Sequence, residues 1–219
     1  MMGASGRRLV DGPVGAPLTL LLAHGAGAPM DSPFMAAIAA GLAERGWRVV
    51  RFEFPYMAQM RQTGQRRAPD RLPKLLDTFR EHLALEAGRP LLIGGKSMGG
   101  RVASLIAAES SAIPDLRGCL CLGYPFHPPG KPHQLRTEHL RHLGTPTLIL
   151  QGERDPFGKR GEVEGYALSP AVQIEWLQAG DHSFKPARSS GLTEAANWAR
   201  AVGLADIWAS GLADGDPRG

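Results

Sequence analysis

The chain has 219 residues, enough for one sizeable core, and its 43% hydrophobic and 21% charged content is that of an ordinary soluble globular domain. Its net charge of +4 comes from 25 basic and 21 acidic residues spread along the chain, without the polybasic run that a nucleic-acid partner would call for. No segment approaches the roughly 20 apolar residues of a membrane span. The arginines of MMGASGRRLVDGPVGAP have no apolar stretch behind them, so no signal peptide is expected.

Apolar runs then alternate with helical patterns. Residues 18–23 (LTLLLA) read as a buried strand, HGAGAPMDSP as a loop, and 33–45 as a helix capped by Asp31 or Ser32. Residues 48–54 (RVVRFEF) form a second strand closed by Pro55, and the polar loop QTGQRRAPDR leads to a helix over about 72–87. A strand at 90–94 precedes GKSMG, and a helix over 98–109 follows it. Next come a strand at 116–122 (LRGCLCL), the proline-rich loop GYPFHPPGKP, and a short helix around 135–143. Strands at 147–151 (TLILQ) and 172–177 (VQIEWL) and a helix over 193–212 complete the pattern. Continuous apolar strands separated by helices indicate a mostly parallel sheet covered on both faces. Residues 1–16 and 213–219 are expected to be flexible, and the chain reads as a single domain.

The only two cysteines, Cys119 and Cys121, stand two apart on one predicted strand. They are expected on opposite faces and therefore unbonded, as buried free thiols that suit a reducing cytoplasm.

The segment LLIGGKSMGGRV admits two readings. Gly95-Lys96-Ser97 resembles the end of a phosphate loop, but that motif requires a glycine where Pro90 stands, with strand-like residues between. HGAGAPM fails the dinucleotide pattern, because Met30 occupies the place of the third glycine. The other reading is G-x-S-x-G, in which a strand turns sharply into a helix and presents Ser97 as a nucleophile. Gly95 and Gly99 stand where side chains would collide in such a turn.

A serine hydroxyl needs a base, and the base an orienting acid. After TLILQ comes Gly152-Glu153-Arg154-Asp155, and after VQIEWL comes Gly180-Asp181-His182. Asp155 is preferred as the acid, with Glu153 as the fallback, and His182 as the base with an apparent pKa of about 6 to 7. Asp181 is adjacent to His182, where neighbouring side chains diverge. His82 falls in a predicted helix, and His133, His139 and His142 flank or occupy a helix with a solvated look. The backbone N–H groups of Ala26 and Met98 are the expected oxyanion donors, with His24 bracing the first loop from the core.

HGAGAPMDSPFM, GGKSMGGR, GYPFHPPGKP and LQGERDPFG together resemble the α/β-hydrolase superfamily. Within it they are similar to a small lidless group of predicted hydrolases close to dienelactone hydrolases, over about residues 18–205. The resemblance implies an α/β-hydrolase fold without a cap domain, with Ser97 as nucleophile, Asp155 as acid and His182 as base. Dienelactone hydrolases typically use cysteine where Ser97 stands, so their substrate is not carried over. The group also includes subunits of chromatin complexes, so the fold does not guarantee catalysis.

Only about two dozen residues separate the strand ending at Leu122 from TLILQ, which implies an open, shallow site. Met30, Tyr56, Met57, Phe126, His127 and Phe157 lie on strand-end loops and are the candidates to line it. The expected function is cofactor-free, metal-free hydrolysis of a small ester, thioester or related acyl compound. The alternative is a binding or scaffold module that keeps the fold without turnover. The basic stretch RQTGQRRAPDR is either a solvated loop or a contact for an anionic partner or substrate. Substrate identity and oligomeric state are left open by the sequence.

Overall fold

In the computed structural model, residues 6–109, 113 and 115–214 are described. The run TLLLA forms β2 (Thr19–Ala23), and all five residues are buried, which only a strand covered on both faces allows. Alternation divides them: Leu21 and Ala23 face one apolar core, Leu20 and Leu22 the other. Each leucine so placed contributes about 1.5–3 kcal/mol through burial.

The remaining strands are β1 (Arg8–Asp11), β3 (Arg48–Phe52), β4 (Leu91–Lys96), β5 (Leu116–Leu122), β6 (Thr147–Gly152) and β7 (Val172–Leu177). The helices are α1 (Pro33–Ala43), α2 (Pro55–Thr63), α3 (Leu72–Ala84), α4 (Met98–Ala107), α5 (Arg160–Val163) and α6 (Glu194–Asp214). The sheet order is β1-β3-β2-β4-β5-β6-β7, parallel except for β1, which pairs antiparallel with β3. Helices α3 and α4 pack on one face through Leu75, Phe79, Val102 and Ile106. Helices α1 and α6 pack on the other through Phe34, Ile38, Ala201 and Val202. No described helix is long and apolar enough to cross a membrane.

From β2 the chain crosses to β3 on one side, and it returns to β4 on the other side of β2. The connections therefore leave the carboxyl ends of β2 and β4 in opposite directions, which opens a crevice between them. This is the fold feature that positions the site. Between β5 and β6 there is only a 3₁₀ turn at Glu138–Arg141, so among the described residues no separate cap domain covers the crevice.

The structure departs from the sequence expectations in several places. Part of the N-terminal segment expected to be flexible is β1, and Arg51 at 6% exposure binds Asp11 from the next strand. Glu86, buried at the end of α3, binds both Arg8 and Arg48 and ties that edge further. At the other terminus α6 extends to Asp214, while 215–219 lie outside the described residues. The segment after β3 is not simply loop. Proline lacks the N–H that a first turn leaves unpaired, so Pro55 opens α2, and Asp70 accepts from the Tyr56 N–H at 2.9 Å. The helix expected around 135–143 is only the 3₁₀ turn. Ser32 is the residue before α1, but its side chain makes no capping bond.

Cys119 and Cys121 share a face, because residues two apart on a strand point the same way. They are free and buried, with their sulfurs 3.9 Å apart.

Candidate active site

At the carboxyl end of β4 the chain turns into α4 through Ser97, whose φ of 52° is left-handed and strained for a residue with a side chain. The turn is that tight because the backbone is crowded on both sides. A Cβ on Gly95 would lie 2.4 Å from the carbonyl carbon of Gly99, and one on Gly99 would lie 2.5 Å from the carbonyl oxygen of His24. Ser97 is thus held up at the start of α4, whose first N–H groups and dipole favour negative charge beside it.

The loops after β6 and β7 complete a hydrogen-bonded chain. His182 Nε2 is 2.8 Å from Ser97 Oγ, and His182 Nδ1 is 2.7 Å from Asp155 Oδ2. Asp155 is fully buried and accepts from Gln151 Nε2 at 2.9 Å and from the Phe157 N–H at 2.8 Å. A buried carboxylate fixed by two other donors holds the imidazole with Nδ1 protonated, which leaves Nε2 free to accept from Ser97. Burial, assisted by the charge of Lys96, pushes the His182 pKa below its ordinary value, against the opposing pull of Asp155.

Glu153 does not reach His182. It accepts from the Ala179 N–H at 2.8 Å and pairs with Arg160, so its work is to hold the β7 loop. Asp181 likewise accepts from the N–H groups of Ser183 and Lys185. Helix α6 pins this loop from below: Asn197 Nδ2 donates to the carbonyls of Gln178 and Phe184, and Trp198 Nε1 to that of Ser183. Gln151, Asn197 and Trp198 belong to no motif that marks them in the sequence: Gln151 reads as one more residue of a buried strand, and Asn197 and Trp198 act on a loop 13 to 19 residues away.

Ser97 and His182 line a pocket of about 270 Å³ with Gly25, Ala26, Phe34, Met35, Lys96 and Phe157, among others. Neither the Ala26 N–H nor the Met98 N–H donates to another described protein group. Tyr56 holds the Ala26 loop from behind by donating toward the carbonyls of Gly25 and Ala26. His24 is fully buried, with Nε2 accepting from the Phe54 N–H and Nδ1 donating to Gly25, so it braces that loop as a neutral ring.

Of the six side chains expected to line the pocket, Phe157 does, with its ring 4.3 Å from that of His182. Met30, Tyr56, Met57, Phe126 and His127 do not. All five are buried under the loops, Tyr56 and Met57 because they belong to α2. Phe34 and Met35 at the start of α1 take their place. Arg61 of the basic stretch pairs with Glu53 and Asp31, and residues 62–69 are exposed.

A second serine–histidine contact joins Ser104 Oγ and His139 Nε2 at 2.8 Å. Its polarity is wrong for a nucleophile. The Ser104 hydroxyl donates to the Arg101 carbonyl and so accepts from the imidazole. No described carboxylate pairs with His139, Ser104 is fully buried, and burial beside Arg101 lowers the His139 pKa to about 4. His139 is thus half-buried packing, not a solvated helix face.

Known proteins agree with this architecture. The chain is similar to an α/β serine hydrolase homologue from Coxiella burnetii, at 17% identity and TM-score 0.66 over 94% of this chain and 90% of that one. It is also similar to a dienelactone hydrolase from Anabaena variabilis, at 20% identity and TM-score 0.69 over 93% and 90%. A serine hydrolase without a lid from Xanthomonas campestris matches at 21% identity and TM-score 0.61 over 81% and 80%. A family model described as an alpha/beta hydrolase domain matches residues 16–209. With that match spanning most of its length, the chain belongs to the α/β-hydrolase family.

Proposed function

We propose that this protein is a serine hydrolase that cleaves a small ester, thioester or related acyl compound. The observation that carries the reading is the continuous chain Ser97–His182–Asp155 at the mouth of the pocket. Ser97 Oγ attacks the acyl carbonyl while its proton passes to His182 Nε2, and Asp155 stabilises the imidazolium that forms. The N–H groups of Ala26 and Met98 receive the developing oxyanion, each worth on the order of 3 kcal/mol to the barrier. Collapse expels the alkoxide or thiolate, which takes the proton from His182. Water then gives a proton to His182 Nε2 as its oxygen bonds the acyl carbon; the bond from that carbon to Ser97 Oγ breaks, Oγ takes the proton back from His182, and the free acid leaves.

The pocket is small and open, and the 23% exposure of the His182 side chain leaves the base accessible without a moving cover. Short or compact acyl groups fit this shape. The two buried free thiols support a reducing, cytoplasmic setting.

Hydrolysis of p-nitrophenyl esters of increasing chain length tests the substrate class. kcat/KM is expected to fall beyond short acyl chains, with no jump at the micelle concentration. A long-chain preference that emerges only on aggregated substrate would overturn it.

A further inference from the structure

Lys96 fills the variable position before the nucleophile, and its side chain does not point to solvent. It is 8% exposed, its Nζ donates to the backbone carbonyl of His182 at 2.5 Å, and the ammonium lies 5.5 Å from the centre of the Phe34 ring. No described carboxylate lies within ion-pair distance of it. The fold keeps room for this arrangement: Gly123 has φ 65°, and a Cβ there would stand 2.8 Å from Lys96 Nζ and 2.7 Å from the His182 carbonyl. A desolvated, unpaired ammonium is costly, so its place beside the base calls for a reason.

We propose that Lys96 is a positioning residue, whose ammonium ties the His182 loop to the strand end that carries Ser97. The inference rests on reading Ser97 and His182 as nucleophile and base. One backbone turn then holds both partners of the proton transfer: Ser97 directly and His182 through the neighbouring side chain. A charge-assisted bond of this length restrains the loop more firmly than a neutral one. The charge has a second effect, because it disfavours a proton on the imidazole and so keeps the base free at lower pH.

The charged groups facing His182 are Asp155 after β6, Asp181 in its own loop, and Lys96 as the last residue of β4. Those facing Lys96 are Asp155 and Asp181, which raise its pKa, while burial outweighs them and brings it to about 8. Lys96 is therefore still charged in the range where His182 titrates.

The test is the rate of Ser97 phosphonylation by a fluorophosphonate between pH 5 and 9, for wild type, Lys96→Met and Lys96→Arg. Lys96→Met is expected to lose roughly ten- to a hundredfold in rate. Its acid limb should move up by about 0.5 to 1 pH unit. Lys96→Arg, which keeps the charge, should hold the limb near that of wild type. A Lys96→Met protein with the wild-type rate and limb overturns the proposal, as does a loss of rate with no movement of the limb. NMR titration of the His182 ring nitrogens in wild type provides a readout independent of any variant's folding. A second inflection, above that of the imidazole itself and below the ordinary lysine range, is expected as Lys96 loses its proton, and a His182 ring that senses no Lys96 titration overturns the proposal. Wild type that is not labelled at all sinks the nucleophile reading instead, and the NMR titration still reports the Lys96–His182 contact.

Discussion

Asp155→Asn separates the geometry of the site from its proton chemistry. The Phe157 N–H donates to Oδ1, so the asparagine oxygen stays on that side and its NH2 falls where Oδ2 was. There it meets two donors, Gln151 Nε2 and His182 Nδ1–H. Gln151 resists turning, because its Oε1 accepts from the Tyr124 N–H at 2.7 Å and its Nε2 donates to the carbonyls of Tyr124 and Gly158. His182 must then take the other tautomer, with Nε2 protonated toward Ser97 and unable to accept its proton. Loss of the orienting acid in a triad costs about 10⁴-fold, which corresponds to about 5 kcal/mol of barrier. The assay is the second-order rate constant for fluorophosphonate labelling, with Glu153→Gln as the control expected to stay within a few-fold of wild type. An Asp155→Asn protein within tenfold of wild type, or a Glu153→Gln protein far more impaired, would refute the reasoning.

Gly99→Ala is expected to destabilise the fold by at least about 1–3 kcal/mol, because the new methyl group meets the backbone oxygens of Ala23 and His24 at 2.7 and 2.5 Å. An unchanged melting temperature and labelling rate would contradict it. Burial holds His82 at a pKa of about 4, below its ordinary value of 6.5. The unfolded chain therefore takes up the proton first as pH falls, so the stabilisation is present above 6.5 and lost between 6.5 and about 4. His82→Leu should flatten the pH dependence of stability in that window by up to about 1.4 kcal/mol per pH unit. Urea unfolding at pH 7, 5.5 and 4.5 measures it, and an identical slope in the variant would count against the assignment.

The strands, and the three side chains that the structure joins by hydrogen bonds, were legible because both depend on local sequence. TLLLA, LRGCLCL and VQIEWL are apolar enough to declare themselves, and Ser97, Asp155 and His182 each stand just past such a run. The pocket was not legible, since which loop side chains face outward depends on how the loops fold back. Tyr56 and Met57 turn inward because Pro55 starts a helix rather than ending a strand. The four-residue strand β1 lacks a periodic signal, and its place is fixed by pairing with β3 some forty residues on. Lys96 was visible only as a motif letter; its partner lies 86 residues away in sequence. The two cysteines show a slip of periodicity rather than missing information, because a spacing of two already fixes a shared face.

Incubating the protein with a fluorophosphonate probe and weighing the intact chain tests whether Ser97 is the nucleophile that His182 activates. One adduct per chain is expected for wild type and for Ser104→Ala, and none for Ser97→Ala. Labelling that persists in Ser97→Ala, or that disappears in Ser104→Ala while Ser97 is intact, would contradict the account.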